Sequence, residues 1–231
     1  EGLTPAVLAV TGPEPYDFGI VASGGGTASN AFTLTNTGQS SATLISEVGM
    51  AGDFDFLGGS SPGTGGDCGA SLAGGASCTF FVEFAPTSLG PLSTTIDFSY
   101  DDGFQAQNET HDIQGTGGAP AVLDISDGPT YDYLDKAIGS STPYLFTVTN
   151  NGAVTATGMI DGGTLGAPFV FTGGAYPGDN GDCGATLAAA ATCQIEVAYE
   201  PSGAGVSNGT ITITYDDGVT TQNSTRAVSG N

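Results

Sequence analysis

Apolar and polar residues alternate along this chain in short runs. Phe32 and Leu34 alternate with Thr33 and Thr35, and Phe146 and Val148 with Thr147 and Thr149. Phe80, Val82 and Phe84 share one parity, as do Ile195, Val197 and Tyr199. The runs Thr95 to Tyr100 and Thr210 to Tyr215 repeat the pattern, and Phe54/Phe56 and Phe169/Phe171 are aromatic pairs two apart. A period of two is that of a half-buried strand, with apolar side chains on one face. Short opening strands follow Pro5 and Pro120. Final strands are expected near Asp112 to Gln114 and Arg226 to Val228. Asn36-Thr37-Gly38, Asn150-Asn151-Gly152 and the two Asp-Asp-Gly runs, Asp101 to Gly103 and Asp216 to Gly218, punctuate the strands as turns. No helical period interrupts them.

The runs come round twice. Most equivalent positions lie 115 apart, and the offset falls to 114 around Asn36/Asn150. The 231 residues therefore divide into two repeats, 1–117 and 118–231, each long enough for its own core. Each should hold about seven strands. The predicted architecture is all-β: two tandem immunoglobulin-like sandwiches. Antibody-type domains are excluded by the lack of Trp and by cysteines too close in sequence to pin two sheets. The short linker Gly115 to Ala119 implies a tandem rod with limited bending.

Cys68 and Cys78 recur as Cys183 and Cys193. One disulfide per repeat is the reading, with an exported, oxidising location at the cell surface or outside the cell. Zinc is the competing reading, but nine residues separate the cysteines and neither copy offers further ligands. A loop of this size stabilises a domain by somewhat under ~3 kcal/mol in the chain-entropy view.

Charge excludes some functions. Twenty-four Asp and Glu stand against Lys136 and Arg226, a formal charge of −22. Nucleic-acid binding needs cations to neutralise phosphates, and an anionic membrane repels such a chain. No apolar run is long enough to span a membrane as a helix. The chain begins at Glu1 with no visible signal peptide, and is read as a mature or excised fragment of a longer protein.

Catalytic chemistry is scarce. His111 has no histidine counterpart and is read as a surface strand residue, so a His-based triad is not expected. Paired carboxylates could serve glycoside hydrolysis, but adjacent aspartates on a turn point apart. Ca²⁺ is the metal considered for the aspartates, with Asp101, Asp102, Asp216 and Asp217 as candidate ligands and turn formation as the alternative. No other cofactor is expected. Lys136 alone cannot support an isopeptide crosslink in both repeats. Asn108, Asn208 and Asn223 match glycosylation acceptors, read as chance. Tyr176 lies in a loop that differs between the copies and is expected to be exposed, as a candidate ligand-binding aromatic.

Tyr16-Asp17-Phe18-Gly19, Thr33 to Gly38, the cysteine loop, Phe84-Ala85-Pro86, Tyr100 to Gly103 and Gly115-Thr116-Gly117 together resemble the bacterial choice-of-anchor D type of repeat. That repeat is akin to the abnormal-spindle/Hydin (ASH) sandwiches. The second repeat departs at Tyr133-Leu134, at Glu200 and at its end. The resemblance implies seven-stranded Ig-like modules strung along surface or secreted proteins. The function expected is a non-enzymatic stalk module of a fibre or adhesin, partnered by other domains of the same protein. The alternative is a module that binds glycan or a cell-surface protein through loops or an edge strand.

Overall fold

A computed structural model describes residues 2–231. The chain divides between Gly118 and Ala119 into two compact units; the last strand of repeat 1 runs through Gly118, one residue past the end of the repeat read from sequence.

Repeat 1 contains β1 (Leu8–Thr11), β2 (Tyr16–Ala22), β3 (Ala28–Asn36), β4 (Ala42–Glu47), β5 (Phe54–Phe56), β6 (Ser71–Leu72), β7 (Ser77–Phe84), β8 (Gly90–Asp101) and β9 (Ala106–Gly118). One sheet runs β1-β3-β7-β5 and the other β2-β9-β8-β4-β6. Repeat 2 contains β10 (Leu123–Ile125), β11 (Thr130–Asp132), β12 (Thr142–Asn150), β13 (Thr157–Asp161), β14 (Phe169–Phe171), β15 (Thr192–Tyr199), β16 (Ser207–Asp216) and β17 (Thr221–Gly230). Its sheets run β10-β12-β15-β14 and β11-β17-β16-β13. Each repeat is an all-β sandwich with one disulfide.

The strand count exceeds seven for two local reasons. The opening strand splits: β1 pairs antiparallel with β3, then the chain crosses and β2 pairs parallel with β9. Repeat 2 does the same with β10 and β11. Repeat 1 also gains the two-residue β6, where repeat 2 forms only the bridge Ala156↔Leu187.

The alternation fills the space between the sheets. Cys78, Phe80, Val82 and Phe84 of β7 are buried, and their rings pack on Phe32, Phe54 and Phe98. In repeat 2, Tyr199 stacks on Phe169 at 4.9 Å and tilts against Tyr133. Each fully buried ring contributes about 2–3 kcal/mol. The aromatic core also accounts for the Gly115 and Gly230 positions. A Cβ there would lie 2.5 Å from the Phe84 ring and 2.6 Å from the Tyr199 ring.

Candidate functional site

Sequence read Asn36 and Asn150 as turn residues, but both are completely buried hubs. The Asn36 amide donates to the carbonyls of Ser40 and Leu72, and its oxygen accepts from Val7 N and Gly38 N. Asn150 makes the same set with Val154, Leu187, Val122 and Gly152. One side chain thus ties the first strand, the Asn-x-Gly turn and the cysteine loop together. An inward position by parity ending in a turn was the available signal.

The two disulfides close the same loop in each repeat, Cys68–Cys78 and Cys183–Cys193, tying it to the start of β7 and of β15. Their surroundings differ. Cys183 and Cys193 are both buried, whereas Cys68 is only partly so.

The aspartates considered for Ca²⁺ are builders of their own turns. Asp102 is buried; its carboxylate accepts from Phe104 N, Gln105 N and Gln107 Nε2. The Gln105 amide foremost, with the Gln107 and Phe104 donors, holds it below the usual carboxylate range. Asp217 accepts from Val219 N, Thr220 N and Gln222 Nε2. Burial pushes its carboxyl up, but those donors outweigh it and the net direction is down. Asp101 and Asp216 accept from Gly103 N and Gly218 N. Among the described residues no three His, Cys, Asp or Glu side chains come together as a metal site.

His111 is a correction. Its side chain is only 2% exposed; its ring meets Phe32 at 5.8 Å and Nε2 has no partner. The parity of Ile113 carries it inward: both face the core from β9. Arg226 holds the equivalent place in repeat 2. Its guanidinium reaches the Ile125 carbonyl and lies 3.3 Å from Asp124.

Tyr176 is also corrected: it is partly buried rather than exposed. It packs against the core, edge-on to Phe171 at 5.7 Å, with its hydroxyl buried and unpartnered. Burial pushes the phenol up to about 12. In repeat 1 the equivalent residue is Ser61, and beside it opens a cavity of about 330 Å³. Ile45, Ser46, Glu47, Ser61, Cys68, Gly69, Ala70 and Phe98 line it. Burial, opposed by the Gly49 amide, raises the Glu47 carboxyl. Below Tyr176 the loop Thr172 to Gly181 is fastened to β15 by Glu196. That carboxylate accepts from Thr172 Oγ1 and from both the backbone and the side-chain amide of Asn180. The Thr172 hydroxyl first, then the Asn180 side chain, lower its pKa.

A parallel edge strand crossing behind β1, the aromatic core and the glycine packed on it describe an Ig-like sandwich, and a family comparison bears on which. Residues 11–116 match the HYDIN/CFA65/VesB-like, Ig-like domain. This supports an Ig-like domain related to Hydin for the first repeat. No curated protein matches the chain. A protein of unknown function from Porphyromonas gingivalis W83 aligns over 96% of this chain and 98% of its own, at 10% identity and a TM-score of 0.34. The Vibrio cholerae VesB protease is 20% identical over 48% of this chain and 32% of its own, with a TM-score of 0.32. The ASH/PapD-like domain 7 of human CEP192 covers 50% of this chain and 86% of its own at 12% identity and a TM-score of 0.32. At these scores the likenesses carry no argument.

Proposed function

We propose that the chain is a non-enzymatic spacer module of the choice-of-anchor D type, from an exported fibre or adhesin, partnered by neighbouring domains of the same protein. One observation carries this reading. The aspartates and the histidine weighed for chemistry are spent on the domain itself: the Asp-Asp-Gly carboxylates on turn amides and His111 on the core. The same stapled frame is built twice, as expected of a length-setting part. The two disulfides suggest an oxidising, extracellular compartment. The strongly negative surface keeps copies apart in solution.

The test is direct. The purified chain is applied to a glycan array and titrated with Ca²⁺ followed by calorimetry. The spacer reading expects no saturable glycan binding and no Ca²⁺ heat, with or without chelator. Saturable, chelator-sensitive binding lost in Asp101→Asn or Asp216→Asn would replace it with an adhesive module.

A further inference from the structure

The disulfide loops of the two repeats align without a gap from Phe56/Phe171 to Asp67/Asp182. Within that stretch Ser61 faces the cavity of repeat 1, and Tyr176 takes its place in repeat 2. Burial of the neighbours follows the swap. Ile45 and Cys68 are partly exposed, whereas their equivalents Met159 and Cys183 are 2% and 4% exposed. The register fixes these equivalences: Ile45 N donates to Ala70 O, and Met159 N to Ala185 O. At this place repeat 2 packs the Tyr176 ring against its core, edge-on to Phe171, and repeat 1 has an open cavity.

We propose that the Ser61 cavity of repeat 1 is a binding site for a phenolic ring, the group that Tyr176 supplies internally in repeat 2. The volume, about 330 Å³, lies at the small end of ligand sites and suits a single ring. Ile45, Ala70 and Phe98 offer apolar and edge-on aromatic contact, and the Cys68 sulfur is a polarizable neighbour. Repeat 1 adds what repeat 2 lacks. The Tyr176 hydroxyl has no partner, and Asp161, at the place of Glu47, accepts from Gly163 N. Glu47 is longer by one methylene and lines the cavity; its carboxylate has oxygen lone pairs beyond the bond from Gly49 N. A phenol should therefore bind better than the same ring without its hydroxyl. This inference is independent of the spacer reading.

The experiment is an amide NMR titration of the full chain with p-cresol, N-acetyl-tyrosinamide and toluene. Saturable shifts are expected at Ile45 to Glu47 and Cys68 to Ala70, and none at Met159 to Asp161 or Cys183 to Ala185. Toluene should bind several-fold more weakly than p-cresol, and Glu47→Gln should narrow that gap. Ser61→Tyr should abolish the shifts by filling the cavity. If that variant misfolds, Tyr176→Ser should create a second set of shifts in repeat 2. Tighter binding of N-acetyl-tyrosinamide would assign the site to a tyrosine carried on a polypeptide, and tighter p-cresol to a free phenol; both support the site. No saturable shift up to the solubility of p-cresol, or shifts indifferent to Ser61→Tyr, overturns it.

Discussion

Repeat 1 carries Ser61, Phe81 and His111 where repeat 2 carries Tyr176, Glu196 and Arg226. Around these positions the frame is the same: two sheets, a buried Asn hub, one disulfide and a self-capped Asp-Asp-Gly turn. The difference shows what the frame tolerates. The Phe81 ring lies against Gly65 as an apolar prop for its loop, whereas the Glu196 side chain holds the matching loop through hydrogen bonds to Thr172 and Asn180. A carboxylate can replace a ring there because every one of its acceptors is used. His111 and Arg226 make the same point. The ring stays in the core with one nitrogen unpaired; the guanidinium reaches a carbonyl and a carboxylate outside it.

Substitutions can break or sharpen this comparison when unfolding is read separately for each repeat. The largest effects should come from the shared frame. Asn36→Ala and Asn150→Ala each orphan several buried backbone groups. Each should cost its own repeat about 3–4 kcal/mol in denaturant unfolding followed by hydrogen exchange. A markedly unequal pair of values would show that the hubs are not equivalent.

Next come the disulfides. Replacing either pair by alanine should cost about 2.5–3 kcal/mol. Their order of reduction should differ. Cys68 is partly exposed beside an open cavity, and the second pair is buried, so thiolate attack on the first should be faster. Graded reduction, alkylation and peptide mass analysis should label Cys68 and Cys78 first. Simultaneous labelling would remove the distinction.

A smaller, local effect concerns Glu196. Its carboxyl is held below the ordinary value in the folded state. The stabilisation is therefore present above the unfolded value, about pH 4, and is lost as pH falls through the lowered folded value. Amide exchange in Thr172 to Gly181 should rise at low pH or in Glu196→Ala. The loop beside Phe81 should not respond. The smallest change is Tyr199→Phe, which gives repeat 2 the residue repeat 1 has at Phe84. The Tyr199 hydroxyl is buried without a partner, so its removal should be neutral or stabilise by up to about 1 kcal/mol. Destabilisation would reveal a hidden partner.

Parity made the sheets legible in the sequence. Phe80, Val82 and Phe84 announced β7, and the 115-residue offset announced two domains. The division of the opening strand was not legible. A short opening strand was expected after Pro5, and nothing local says that the chain then crosses to pair Tyr16 to Ala22 with the other sheet. Tyr176 was misplaced because loop composition suggested exposure, while its ring packs against the core, edge-on to Phe171. His111 was misplaced because a polar name was weighed above the parity it shares with Ile113.

The parallel register of β2 on β9 has a mechanical consequence. Tyr16 faces Ile113 and Ala22 faces Gly118, so β2, which follows β1, and β9, which ends the repeat, run side by side in the same direction. Tension carried by β2 and β9 slides one strand along the other, loading the whole ladder at once instead of peeling it bond by bond. β11 on β17 would bear load in the same way, though over a shorter ladder. The geometry therefore resists stretching through shear, and repeat 1 should be the last of the two to yield.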